Sequence, residues 1–105
     1  MFIEVTDATF DEIVLESTTT VIAHFTAPSC KPCKAIEPHL VELATVHAER
    51  VRLVRIDIDA NLGTPSRFGV LSIPTVIVFA AGEQRATVVG AQPRKRYEQS
   101  LEPHL

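Results

Sequence analysis

Two apolar periodicities take turns along this chain. Short runs rich in β-branched and aliphatic residues stand at Phe2–Val5, Val21–Phe25, Val51–Ile58, Thr75–Phe79 and Ala86–Val89. Their length and the polar or turn-forming residues around them predict strands. Between them the spacing changes to the three-and-four rhythm of a helix. Thr6-Asp7 reads as a cap for a helix carrying Phe10, Ile13 and Val14. Ile36, Leu40, Leu43 and Ala44 form a longer stripe that extends to about Arg50. Pro38 lies inside that stripe, cannot donate to the carbonyl of Lys34, and predicts a kink. Thr64-Pro65 predicts the start of a short helix ending near Gly69, and Pro93 opens a last helix with Tyr97 and Leu101 on one face. Ala81-Gly82-Glu83 reads as a hairpin turn. The resulting order, βαβαβαββα, predicts an α/β protein with parallel strands under helices and an antiparallel edge from the final hairpin.

The length of 105 residues fits one domain spanning 1–105. Ten basic and thirteen acidic residues give a net charge of −3, which argues against a phosphate-neutralising nucleic-acid binder. Arg94-Lys95-Arg96 is the one basic run, and at a helix start it reads as a solvated face. The longest apolar runs are too short to span a bilayer. Met1-Phe2-Ile3-Glu4-Val5 has neither a cationic stretch nor a long apolar segment, so no membrane association and a cytoplasmic location are expected. In a reducing compartment two cysteines are rarely a structural staple.

Cys30-Lys31-Pro32-Cys33 follows a predicted buried strand and opens the longer helix. A gap of two residues over one turn brings both sulfurs to the same face, where a disulfide can close. Free N–H groups and the helix dipole favour an anion at the first cysteine and lower its pKa. Cys30 then suits a nucleophilic thiolate, and Cys33 a second thiol that resolves the mixed disulfide. A zinc site would need about four ligands. His24, His39 and His47 do not supply a second pair at zinc-finger spacing, so no metal is expected. Two inert core cysteines fit poorly beside Ser29, Lys31 and Pro32.

The segment Phe25-Thr26-Ala27-Pro28-Ser29-Cys30-Lys31-Pro32-Cys33-Lys34 resembles the active-site segment of the thioredoxin family. Asp57-Ile58-Asp59, Ser72-Ile73-Pro74-Thr75, Gly82 and Gly90 fall where that family has its other signatures, so the resemblance covers nearly the whole chain. It implies the thioredoxin fold, a mixed five-stranded central sheet flanked by four helices. It further implies a cis Ile73-Pro74 peptide facing the cysteines and a substrate surface made of Ser29, Ile73, Pro74 and Gly90. No cofactor is implied. The implied partners are protein disulfides and a flavin-dependent thioredoxin reductase, with the protein itself expected to be a monomer.

Departures from the family pattern are specific. The chain lacks tryptophan, and Thr26 and Ser29 stand where the family usually has it. Lys31 replaces the usual glycine before Pro32, His24 replaces a buried acid, and Arg55 replaces a partner lysine. Lys31, Pro32, His24 and Arg55 are therefore the expected tuning residues. His24 reads either as a base for Cys33 or as a core histidine bonded to a carbonyl or to Asp57. The expected activity is reduction of protein disulfides. The alternatives are a thiol oxidase or isomerase, and a non-enzymatic module that binds through the sheet edge or the Pro74 surface.

Overall fold

The structure, a computed structural model, describes every residue from Met1 to Leu105. Five strands form one mixed sheet: β1 (Ile3–Val5), β2 (Thr20–Thr26), β3 (Val51–Asp57), β4 (Thr75–Ala80) and β5 (Glu83–Val89). Their spatial order is β1-β3-β2-β4-β5. The first three run parallel, β4 is antiparallel to β2, and β5 is antiparallel to β4. All seven residues of β2 are buried, as its central place between β3 and β4 requires. A five-residue helical turn of π type (Asp11–Leu15) and the helices α1 (Lys31–Val46), α2 (Gly63–Arg67) and α3 (Arg94–Leu101) flank the sheet. The expected order, α/β class and mixed sheet are all present.

Each face of the sheet has its own core. Ile22, Leu53, Val76 and Val78 pack with Ile36, Leu40 and Leu43 of α1 and Tyr97 and Leu101 of α3. On the other face Val21, Ala23, Phe25, Ile56 and Phe79 pack with Phe10 and Val14. No helix is long and apolar enough to cross a membrane.

Several expected boundaries move. The first helix is only the π-type turn, preceded by Phe10, and no side chain caps it. Asp7 instead caps a helix more than fifty residues away. Its carboxylate accepts from the backbone N–H groups of Gly63 (3.0 Å) and Thr64 (2.8 Å) and from the Thr64 hydroxyl (2.7 Å). Thr64 is thus a donor inside α2 and not its cap. The capping chemistry is as expected, but folding brings a distant helix start within its reach.

Helix α1 ends at Val46, four residues short of Arg50, and the chain then turns through His47–Arg50. It continues through Pro38 as one helix. Lys34 and Pro38 are both exposed, so the bond that Pro38 cannot make falls on the solvent side. The hairpin turn is Ala81-Gly82, with φ of 53° and 77°, the twist a two-residue hairpin prefers. A Cβ on Gly82 would stand 3.0 Å from the Leu15 carbonyl, a second reason for glycine there. β5 therefore begins at Glu83, three residues before the apolar run, because its first residues are exposed on an edge strand.

The bonds from Thr64 and Gly63 hold the Asp7 carboxyl below its usual range. A lowered carboxyl pKa stabilises the fold above the unfolded value of about 4, and that contribution disappears as pH falls through the folded value. Asp7→Ala is expected to lower the Tm by a few degrees at neutral pH. Melting curves of the two proteins should converge as pH falls through the lowered folded value of the Asp7 carboxyl.

Candidate active site

Strand register gathers the chemistry at one edge of the sheet. Thr26 ends β2 opposite Asp57, and Phe25 pairs with Thr75 at the start of β4, which in turn pairs with Val89 at the end of β5. The Ala27–Cys30 loop, the Ser72–Pro74 loop and Gly90 therefore leave the sheet at the same end. This is the edge beyond the carboxyl ends of parallel strands, where α/β proteins place their sites.

Ile73-Pro74 is cis, as the family resemblance implied. Pro74 is buried, its carbonyl accepts from Gly90 N–H at 2.8 Å, and Ile73 is half-buried. Ser29, Lys31 and Pro32 are exposed around the cysteines.

Cys30 and Cys33 form a disulfide, with Cα atoms 5.3 Å apart. Cys30 occupies the N-cap of α1, and its sulfur accepts from Cys33 N–H at 3.2 Å. Pro32 lies within the first two helical positions, where a missing N–H costs nothing. The two sulfurs differ in access. Cys30 is half-buried, whereas Cys33 is fully buried.

His24 is also fully buried, on the face of β2 that carries Ile22 and Thr26 and lies under α1. Its Nε2 stands 3.2 Å from Glu37 Oε2, off the line of a good hydrogen bond, and Nδ1 has no partner. Arg55 grips both oxygens of Glu37, with Nε donating to Oε2 at 3.0 Å and Nη2 to Oε1 at 2.8 Å. The other arm of Arg55 reaches Glu4 of β1, and its guanidinium lies 4.1 Å from the centre of the Phe2 ring. Burial pushes His24 down to about 4; the Glu37 charge opposes this, Arg55 adds to it, and the nearby Cys33 carbonyl opposes it weakly. At neutral pH the imidazole is uncharged. A cavity of about 240 Å³ opens beside this group, between Glu4, Glu37, Arg55, Lys34, Asp57 and the Thr26–Pro28 loop.

The structure thus brings the expected residues into two layers. Ser29, Cys30, Lys31, Pro32, Ile73, Pro74 and Gly90 lie at the sheet edge, and His24 and Arg55 lie beneath α1. The partner of His24 is Glu37 rather than Asp57, whose carboxylate accepts from Asp59 N–H. Glu37 was missed by the sequence reading. Its signal was a lone acid between Ile36 and Leu40 on the stripe that faces the sheet, four residues after Cys33.

The thioredoxin family model matches residues 1–103. Thioredoxin 1 of Synechococcus elongatus is 41% identical over 96% of this chain and 94% of its own length. Thioredoxin of Haemophilus influenzae is 39% identical over 98% of this chain and 96% of its own. The chloroplastic thioredoxin M2 of Arabidopsis thaliana is 38% identical over 96% of this chain, which spans 54% of that relative.

His24 titrates near 6.5 when unfolded and about 4 when folded, so between those values only the unfolded chain takes up the proton. Stability is full above about pH 6.5 and falls toward pH 4, by on the order of 3 kcal/mol in all. His24→Leu is expected to flatten this part of the profile, measured by denaturant unfolding of the oxidised protein. An unchanged slope would show that His24 does not bring it about.

Proposed function

The chain belongs to the thioredoxin family and is a thiol–disulfide oxidoreductase that reduces protein disulfides; we propose that Cys30 is the attacking thiol and Cys33 the resolving one. The observation that supports this assignment is the asymmetry of the pair. Cys30 is the more accessible sulfur, at the start of a sixteen-residue helix whose first N–H groups and dipole favour an anion. Cys33 is out of reach of a protein substrate until the substrate is already attached to Cys30.

In the forward reaction the Cys30 thiolate attacks one sulfur of the substrate disulfide and displaces the other as a thiolate. Cys33 then gives up its proton and attacks Cys30 Sγ, forming the Cys30–Cys33 bond and releasing the second substrate thiolate. Two electrons pass from the dithiol to the substrate. We take His24 as the base for Cys33, since it is buried and neutral and neither ring nitrogen is taken up by an in-line hydrogen bond. Ser29, Ile73, Pro74 and Gly90 form the substrate surface in this reading. Ile73 offers backbone at the sheet edge for an extended segment. We further propose that the 105 residues act as one monomeric unit in the cytoplasm, carrying electrons to protein disulfides from a flavin-dependent thioredoxin reductase, without nucleic acid or membrane as partner.

Cys33→Ser is expected to accumulate covalent mixed disulfides with protein substrates, visible on non-reducing gels, whereas Cys30→Ser accumulates none. Equal trapping by both variants would overturn the assignment.

Lys31 is exposed next to Cys30, and its charge favours the reduced, thiolate-bearing form. An exposed charge contributes under about 1 kcal/mol, so Lys31→Gln should lower the reduction potential by on the order of 20 mV. Equilibration against a glutathione redox buffer measures it, and an unchanged or higher potential removes Lys31 from the tuning residues.

A further inference from the structure

Glu37 holds a place that the cysteine chemistry alone does not explain. An acid on the sheet-facing stripe of α1, beside a fully buried imidazole, is an expensive arrangement unless it is paired. Arg55 pairs it by a two-pronged contact, and the carboxylate remains partly open to the adjoining cavity. An ionised carboxylate can only accept hydrogen bonds. The ring nitrogen that faces it at 3.2 Å, Nε2, is therefore the one that carries the hydrogen, although neither ring nitrogen makes an in-line hydrogen bond, and Nδ1 is left bare.

We propose that Glu37 is a positioning residue for the resolving step: held by Arg55, it fixes His24 in the tautomer with Nδ1 free and steadies the imidazolium that forms when His24 takes the proton from Cys33. This rests on the reading of His24 as the base. The logic is that of a thiol, an imidazole and a carboxylate in series. The Cys33 S–H bond breaks, its proton goes to Nδ1, and the thiolate's electron pair forms the new bond to Cys30 Sγ. The imidazolium, steadied by the Glu37 charge, then loses the Nδ1 proton to solvent, which restores the Nε2–H tautomer.

Burial makes His24 a weak base, and the Glu37 charge is the strongest influence in the opposite direction. The other groups around the imidazole are consistent with this division of labour. Arg55 of β3 is committed to Glu37 and, through its other arm, to Glu4 of β1. Cys33 of α1 offers its carbonyl, and Val76, the β4 residue paired with His24, is apolar. Lys34 and Asp57 line the cavity further out. No second base faces the imidazole from these elements.

Glu37→Gln tests the proposal. The amide keeps the shape but loses the charge, and because Oε2 faces both Arg55 Nε and His24 Nε2, the variant no longer fixes one tautomer of the imidazole or steadies its protonated form. The full-length protein is loaded at Cys30 with thionitrobenzoate, and its release is followed by absorbance from about pH 6 to pH 9.5 for wild type, Glu37→Gln, His24→Ala and the double variant. Glu37→Gln is expected to slow release at least about tenfold near pH 6.5–7 and to match wild type near pH 9, where Cys33 ionises without help. In the His24→Ala background it should add nothing. The ring ¹⁵N shifts of His24 should report Nε2–H in wild type and a mixture of tautomers in Glu37→Gln, a readout that serves even if the variant is destabilised.

A wild-type rate for Glu37→Gln beside a slow His24→Ala overturns the role of Glu37 alone and leaves the base reading standing. A wild-type rate for His24→Ala overturns both. Additive losses in the double variant, or an unchanged tautomer, show that Glu37 does not act through His24 and overturn the proposal.

Discussion

Burial of β2 along its whole length is the constraint on which the rest depends. A strand with partners on both sides and cores on both faces has one register, because a slip of one residue would exchange its two faces. Ile22, His24 and Thr26 must then look toward α1, and Val21, Ala23 and Phe25 toward Phe10 and Phe79. The same register decides where the chain leaves the sheet. Thr26 is its last paired residue, and four residues later Cys30 caps α1. Cys30 is thus placed by apolar packing earlier in the chain, at the start of a helix that needs no charged side chain to favour an anion there.

That arrangement has a consequence for the polar residue it carries inside. His24 cannot be solvated, so it stays neutral, with neither ring nitrogen in an in-line hydrogen bond. Glu37 and Arg55 stand beside it as a pair at the margin, half-buried and bonded through two N–H···O contacts. Arg55 is suited to this in a way that lysine is not. Its planar fork grips Glu37 with one edge, reaches Glu4 with the other, and lies against the Phe2 ring. The pair therefore ties α1, β1 and β3 together directly under the active-site turn. A change in β1 would be felt at His24 through Glu4 and Phe2, whose ring centre is 5.9 Å from that of His24.

How legible the molecule was in sequence depended on the range of each interaction. Strands β2 and β4 are nearly continuous apolar runs because both faces are covered, and β3 keeps its apolar residues around Arg52 and Arg55, so these strands are visible without knowing the partner. Cys30, Lys31, Pro32 and Cys33 are contiguous, so their helical placement followed from local spacing. The start of β5 was hidden because Glu83, Gln84 and Arg85 owe their strand state to pairing at an exposed edge. Asp7 was recognised as a helix cap but assigned to the nearest helix, since no local pattern tells that α2 arrives beside it. Glu37 was overlooked for a similar reason. An acid within a helical stripe looks like an interruption until the strand beneath is known to present an imidazole and an arginine.

The replacement of the family's usual buried acid by His24 and the presence of Glu37 are best understood together. A carboxylate on β2 would sit fully buried, where its charged form is disfavoured and its proton is held to high pH. Here the carboxylate stands one layer further out, on α1, gripped by Arg55 at the mouth of the cavity. The buried position is filled by a group that is neutral at working pH and can still accept a proton. The acid and the base are thereby separated, and the charge is moved from the core to its edge. Such a division keeps a neutral imidazole under α1 without leaving an unpaired ion in the interior, the arrangement that electrostatics penalises most heavily.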